Sequence, residues 1–499
     1  MTPSLTSFSV EFDGRALDPG LMNGATEIRV HQNLSAPAMF ELAFLDESAR
    51  ASVRQFRTGT AISVIADQRP LFDGEITAVE SSYGPSNVRE IRIRGYDRLH
   101  RLRKRQKVRA FVNTTALEIA RELLSADGVT VESEGSGPLF SHLIQARQTD
   151  FDLLVDVASQ CGWYATLRGD ILQLVTLKGR GQAVSLEYGK NLLEATIELN
   201  NDSYCSAVKA EGWNTSLAEP HAGQSGNARA GRRLAEAIGQ MEGGGERLLL
   251  DEMTEDDGHA ELLSQAELDY RAAREVIVSG VALGDDRLRP GVPISIDGVA
   301  EDLCGTYVTT SVEHVLSNES GYISRFTTEP PQRRQRPYPT MATLALVSNV
   351  NDPENLSRVC VRLAAYDNVE TSWLPVLSLG AGEGKGMFLM PDVNDRVLVL
   401  MPRENTAQGI VLGGLYGSKS PEDSGLEHGA IRRYGLRTAG GHRLVFDDAS
   451  QSLRMQDIHG SYVDFSAKNL VLHSTTDLRI EAPGRNVVIL GDTIDFQRG

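Results

Sequence analysis

Cysteine is scarce: Cys161, Cys205, Cys304 and Cys360 are the only four in 499 residues, and no two lie close together. That spacing excludes a zinc knuckle and a disulfide framework, and leaves buried free thiols as the expectation. The ten histidines include no HExxH or HxH pattern and have no cysteine neighbours, so no metal or cofactor is expected. His314 and His442 sit in strand-rich text and read as satisfied structural histidines. No nucleophile stands at motif spacing from a base, so the chain is not expected to be an enzyme. Long apolar runs are missing too, and nothing approaches the roughly 18 residues that span a bilayer. Residues 1–20 lack the basic start and apolar core of a secretory leader, so folding and assembly in the cytoplasm are expected. Positive charge is in deficit, with a net charge of −17. Nonspecific nucleic-acid binding, which depends on neutralising phosphates, is therefore not expected.

Three local features invite chemistry and then decline it. DRLHRLRKRQKVR, residues 97–109, carries seven Lys or Arg against one Asp. Without interleaved aromatics to stack bases, it reads as a solvated strand edge or a subunit contact. GAGEGKG, residues 380–386, has Leu379 where a phosphate loop needs its first glycine and Gly386 where it needs Ser or Thr, so it reads as a turn between strands. Asp447 and Asp448 are adjacent, and on a strand would face opposite ways. They read as the start of a turn before Ala449 and Ser450.

What is present is period-two alternation. To about residue 95, FSVEFDG, TEIRVHQ, FELAFLD, AISVIAD and VREIRIRGYD alternate between turn residues, as in a small barrel. The spacing then predicts helices over 114–128, with Thr114 as N-cap and Gly128 as stop, over 149–162, and over 259–276. WYATLRGDILQLV reads as a hairpin turning near Gly169 and Asp170. Residues 217–247, ending in Gly243, Gly244 and Gly245, read as a surface excursion. Strands VIVSGVAL, VPISIDG, TYVTTSVEHVLS and GYISRFTTE suffice for a second barrel. PPQRRQRPYP, residues 330–339, reads as a linker. Beyond it, about five strands in roughly 80 residues match a five-stranded barrel of the OB (oligosaccharide/oligonucleotide-binding) type, though its strands lack the aromatic platforms of a nucleic-acid binder.

The end of the chain repeats. Leu472, Ile480, Val488 and Phe496 fall eight apart, as do Leu470, Leu478, Asn486 and Ile494, with Asn486 in an apolar slot. Residues 436–499 would supply about seven short strands, too few for a single-chain β-helix whose coils take roughly 20 residues each. Three copies around one axis would close both the apolar face and the strand edges. The expected needle is on the order of 35 Å long at about 4.8 Å per strand. Its core would be Leu470, Leu472, Leu478, Ile480, Asn486 and Val488. The expected fold class is thus mainly β, with two hub β-barrels carrying helical insertions (1–335), an OB-fold barrel (336–418), a linker (419–435) and a C-terminal intertwined trimeric β-helix needle (436–499).

Four segments in order carry a resemblance. QTDFDLLVDVASQCGWYATLRGDILQL is similar to a helix-then-hairpin segment of the hub-and-spike proteins of contractile injection machines: the VgrG proteins of type VI secretion, phage late-control D proteins and the fused spikes of extracellular phage-tail-like particles. GTYVTTSVEHVLSNESGYISRF resembles that family's second-barrel signature, at Tyr307, Val312, His314, Gly321, Tyr322 and Phe326. FLMPDVNDRVLVLMPRENTAQGIVLGGLYG resembles the end of its OB domain, and GGHRLVFDD the beginning of its spike. The resemblance implies a homotrimeric spike and central hub that adapts threefold to sixfold symmetry at the baseplate and pierces a target envelope when the sheath contracts. Implied partners are further copies of the chain, tube and baseplate proteins at the hub, effector cargo, and a PAAR-like tip protein seated on Ile494, Asp495, Phe496 and Gln497. About 18 residues between Gly417 and Leu436 leave no room for a lysozyme domain. The short tail favours an extracellular or phage-like particle. A trimeric tailspike or adhesin binding surface polysaccharide is the alternative.

Overall fold

Strand pairing dominates a computed structural model of the chain, which describes residues 8–45, 56–85, 89–214, 218–233, 245–252, 254–333, 340–402, 408–418 and 420–497. It folds as two compact units, residues 1–414 and 415–499.

The largest element of the first unit is an eleven-stranded sheet. Its order is Leu192–Leu199, Val276–Leu283, Gly321–Thr327, Ser311–Ser317, Ala25–Asn33, Met39–Leu45, Arg89–Tyr96, Arg69–Tyr83, Ala61–Ala66, Phe8–Phe12 and Arg15–Ala16. The two strand groups expected as barrels thus share one sheet. They join where Ser311–Ser317 runs antiparallel to Ala25–Asn33, with His314 opposite Val30. Each group keeps its own core: Phe40, Phe44, Ile62, Ile91 and Ile93 on the N-terminal side, and Val278, Ile294, Ile296, Tyr307 and Phe326 on the other. Alternation drives both, since every second residue of Arg89–Tyr96 and Ala61–Ala66 is buried.

Among the described residues four helices accompany the sheet: α1 (Pro19–Asn23), α2 (Ala116–Leu124), α3 (Asp150–Gln160) and α4 (Asp257–Ala272). The N-cap of α2 is Thr115, not Thr114. Thr115 N–H donates to Glu118 Oε2 at 2.8 Å and Glu118 N–H donates to Thr115 Oγ1 at 3.3 Å, a reciprocal capping box. Thr114 instead donates its hydroxyl to Val112 O. Gly128 closes the following turn at φ +65°. Thr149 caps α3 in the same reciprocal way through Asp152. Thr149→Ala is expected to cost about 1 kcal/mol of stability, read as a lower midpoint in denaturant unfolding. Between α2 and α3 lies a third core of Ile119, Leu123, Phe151, Leu154, Trp163 and Leu172. The hairpin Tyr164–Arg168/Ile171–Val175 turns at Gly169 and Asp170 as its sequence predicts.

The excursion expected at 217–247 is partly sheet. Glu219–Ser225 pairs antiparallel, and Glu246–Glu252 parallel, with Ala207–Asn214. Helix α4 packs on this sheet so closely that a Cβ at Gly223 would lie 2.1 Å from Glu261 N, which explains the glycine. Residues 234–244, with Gly243 and Gly244, lie outside the described residues, as do 334–339 of the proline-rich segment.

The basic run is not a strand edge. Arg98–Lys104 forms a 3-10 turn capped by Asp97. Its charges are answered by acids: Arg98 by Asp170 at 2.6 Å, Arg101 by Glu75 at 2.6 Å, Arg105 by Asp127 at 2.7 Å, and Arg109 by Asp150 at 3.1 Å. The run holds the helical layer to the sheet.

Met341–Asn349, Arg358–Leu363, Val369–Glu370, Leu374–Pro375, Arg396–Met401 and Ile410–Gly414 make a six-stranded sheet around Val347, Val359, Val361, Leu363, Val397, Val399 and Val411. Asp352 braces its first loop by accepting from Arg358 Nε and Nη2 at 3.0 and 2.8 Å and from three backbone amides. Hydrogen bonding from Arg358 holds the Asp352 carboxyl well below its usual range. GAGEGKG is a tight hairpin in which Gly382 and Lys385 exchange backbone bonds at 3.1 Å.

Three thiols are buried as expected, but Cys304 is only half-buried. Burial pushes the Cys161 thiol up to about 12 and Cys360 up to about 11, which makes both unreactive. No described helix is long and apolar enough to cross a membrane.

Candidate functional site

The second unit is built on a five-stranded antiparallel meander: Arg433–Arg437, Arg443–Asp447, Ser452–Gln456, Tyr462–Phe465 and Leu470–His473. About seven strands from Leu436 onward were expected. Among the described residues the ladder starts at Arg433 and ends at His473, because each strand is closed by a polar turn that returns the chain antiparallel. One such turn is Asp447, which accepts from Ala449 N and Ser450 N at 2.9 and 3.0 Å. Those backbone bonds, Ser450's foremost, hold its carboxyl below the usual range, and they explain the Asp447–Asp448 pair as turn chemistry.

Register sorts the side chains into two faces. On one, Tyr434, Phe446, Leu453, Phe465 and Leu470 stand directly opposite one another from strand to strand, and Leu436, Leu444, Met455, Val463 and Leu472 form a second such row. Every side chain on this face is apolar or aromatic, yet Phe446 is 48% and Met455 57% exposed. The other face carries Arg433, Arg437, Arg443, Asp447, Arg454, Asp464 and His473. There Arg454 lies 3.9 Å over the Tyr462 ring, which stacks on His473 at 4.8 Å. An open groove of about 570 Å³ runs along the second apolar row and reaches Leu478.

Arg433 also anchors the preceding segment, through Nε to Asp423 Oδ2 at 2.7 Å and Nη1 to Glu427 Oε2 at 2.9 Å. His442 is exposed and does not behave as a structural histidine. His314 is fully buried and saturated by hydrogen bonds.

Of the residues assigned to a needle core, Leu470 and Leu472 belong to the last strand of the apolar face. Leu478, Ile480, Asn486 and Val488 lie beyond it, outside any strand, and are exposed. At the end, Ile494, Asp495, Phe496 and Gln497 are exposed too, with Phe496 at 87% and Gln497 Nε2 donating to Asp495 Oδ2 at 2.9 Å. Sequence reading missed the rows from Tyr434 to Phe465, although the alternation in RLVFD, SLRMQ and YVDF marks them. Among the described residues no cluster of His, Cys, Asp and Glu could hold a metal.

A joined eleven-stranded sheet, an OB-type sheet and a ribbon with one open apolar face match a VgrG-like fold. The chain belongs to the family described as Alg8 N-terminal domain, whose sequence model matches residues 3–318. Residues 343–416 match the type VI secretion system/phage-baseplate injector OB domain. Among solved structures, a chain of the Francisella PdpA–VgrG complex is 9% identical with TM-score 0.55, covering 94% of this chain and 87% of that one. An Escherichia coli protein described as a component of the type VI secretion system, structurally similar to phage T4 tail proteins gp27 and gp5, is 12% identical with TM-score 0.54 over 81% of this chain and 99% of that one. The 43 kDa tail protein of prophage MuSo2 from Shewanella oneidensis is 16% identical with TM-score 0.51, covering 64% of this chain and 97% of that one. At these identities the likeness is one of fold. No curated protein matches the sequence.

Proposed function

We propose that the chain is the spike and central hub of a contractile injection machine. It works as a homotrimer, its hub adapts threefold to sixfold symmetry, and its needle pierces a target envelope when the sheath contracts. The observation that carries this reading is the unbroken apolar face of the meander. Burying each Leu, Met or Phe is worth roughly 1.5–3 kcal/mol, so an isolated ribbon pays a large solvation cost that three packed copies would remove. The work is mechanical and not catalytic, and backbone ladders stacked along the axis would resist compression. The exposed Ile494 and Phe496, flanking Asp495 and beside Gln497, supply a seat for a PAAR-like tip protein. The hub meets tube and baseplate proteins. A cargo effector is the fitting counterpart of the PdpA that the Francisella structure pairs with VgrG. Assembly takes place in the cytoplasm before the particle acts on another cell.

Light scattering of the full chain should give three times 54.4 kDa, and removal of residues 433–499 should weaken or abolish the trimer. A stable full-length monomer would sink the needle reading. Glycan binding by the intact chain, with no assembly into particles, would instead favour an adhesin.

A further inference from the structure

Arg98, Arg101, Arg105 and Arg109 of the basic run each meet an acid, but a second group of arginines is not answered in this way. Strand Tyr164–Arg168 ends in Arg168, the segment after Val175 carries Arg180, and the loop between Val276–Leu283 and Pro293–Asp297 carries Arg289. Backbone pairing brings these three elements together. Arg180 N–H donates to Gly291 O at 2.8 Å, two residues past Arg289. The Arg180 guanidinium lies 3.0 Å from Glu132, which pairs in register with Gln173, itself opposite Thr166 on the strand that Arg168 ends. Arg289 donates from Nε to Asp286 O at 3.0 Å and from Nη2 to Pro70 O at 2.6 Å, both neutral carbonyls. Arg168 differs from both. It is half-buried, its Nε is closed to solvent without an acceptor, and among the described residues its guanidinium makes no hydrogen bond or ion pair. A guanidinium has five N–H donors, and a buried charge is ordinarily paired.

The acids of this region are engaged elsewhere. Asp170, in the turn beside Arg168, pairs with Arg98 at 2.6 Å, Asp286 with Arg69 at 3.4 Å, and Glu132 with Arg180. Asp73 accepts from Ser63 Oγ at 2.7 Å, and its charge, like that of Asp286, favours Arg289 alone of the three. Burial, then the like charges of Arg289 and Arg180, push the Arg168 guanidinium below its ordinary value, and no acid offsets them. Acids outnumber bases 67 to 50 in the chain, so a shortage of carboxylates does not explain the unanswered charge. We propose that Arg168, Arg180 and Arg289 form a seat for a small tetrahedral oxyanion of the phosphate or sulfate class, which ties the hairpin to the sheet. The seat is independent of the spike reading. Planar guanidinium forks match such an anion in pairs of N–H donors, and several can share its oxygens. A small ion suits the position better than an acidic side chain of another protein, because Nε of Arg168 is closed to solvent while the Arg180 side chain, 42% exposed, stands on the open side.

The test titrates inorganic phosphate and, separately, sulfate into the full-length protein in a chloride buffer of constant ionic strength, read by calorimetry and by thermal unfolding. Saturable binding of one ion per chain is expected for at least one of the two, with a rise in unfolding midpoint that chloride does not give. Arg168→Leu should weaken that binding at least tenfold. The order of stability should also reverse. Without oxyanion, Arg168→Leu is at least as stable as the parent, because it removes an unanswered charge, whereas in saturating phosphate or sulfate it is the less stable of the two. An equal response of parent and variant would mean an adventitious ion only, and would overturn the seat. Absence of any midpoint rise beyond chloride would overturn it as well. So would an Arg168→Leu penalty that is the same with and without oxyanion, the mark of an arginine that serves packing alone. Should Arg168→Leu fail to fold, Arg168→Gln poses the same question.

Discussion

Phe446→Asp is expected to convert the proposed trimer to monomers. Phe446 is the second of the five residues in the first apolar row, directly opposite Tyr434 on one side and Leu453 on the other. Its side chain is about half exposed in the single chain, so packing of three copies would bury the remainder for roughly 1.5 kcal/mol each. The aspartate forfeits that gain. It also brings an unpaired carboxylate to a dry seam, at a cost of several kcal/mol more, and puts three like charges near one axis. Over three copies the loss is on the order of 10 kcal/mol. At about 1.4 kcal/mol per decade, that is roughly seven powers of ten in the association constant. Light scattering on serial dilution reads the change. Gln456→Glu, on the opposite face beside Arg443, should leave the trimer intact. A Phe446→Asp trimer that survives dilution as the parent does would mean the subunits meet elsewhere.

How much of this was legible in the sequence depends on the range of the interactions that decide it. Local chemistry was readable: Thr149 with Asp152 at the start of α3, and Gly169–Asp170 in its hairpin, are set by residues within one turn. The misplacement of the α2 cap by one residue was avoidable, because Thr115 and Glu118 stand at capping-box spacing and Thr114 has no such partner. Glu219–Ser225 was not legible. EPHAGQS has little strand preference, and the segment is sheet because α4 packs against it across Gly223, a tertiary effect that overrides propensity. Nor could alternation show that the two barrel-like groups share a sheet, since His314 and Val30 meet across most of the hub. In the second unit the expected needle core rests on the regular eight-residue spacing from Leu470 onward. The strands with paired apolar rows lie mainly before it, separated by turns of unequal length that hide their common face.

His314 should make a separable, acid-destabilising contribution to the first unit as pH drops below about 6.5. Its Nε2 lies 3.0 Å from the Leu288 carbonyl, which can only accept, so Nε2 carries the proton. Nδ1 lies 3.0 Å from Ser324 Oγ and 3.1 Å from Tyr322 OH, and therefore accepts. The neutral ring is saturated, and a second proton would have to displace one of these donors. Complete burial, reinforced by the neighbouring Arg289 and only partly offset by Asp285, pushes the ring down to about 3 from its ordinary 6.5. His259 follows the same logic, donating from Nε2 to Gln160 Oε1 and accepting from Glu255 N–H, and burial pushes it down to about 4. The unfolded chain then binds more protons than the native one between these limits, so stability is fully present above pH 6.5 and is lost as pH falls. Buried acids oppose this: burial raises Asp97 to about 7 from 3.8 and pushes Glu255 and Asp269 up as well, which favours the native state as pH falls, so the wild-type curve is the balance of both sets and only a single-site variant isolates the histidine. His314→Gln isolates one contribution. Its penalty in urea unfolding should be largest near pH 7 and shrink by about 1.4 kcal/mol per pH unit below 6.5, because the parent loses stability there that the variant no longer has to lose. A penalty that stays constant from pH 7 to 5 would mean His314 takes up its proton equally in both states, and the saturated neutral ring at the sheet's junction would not be what resists acid.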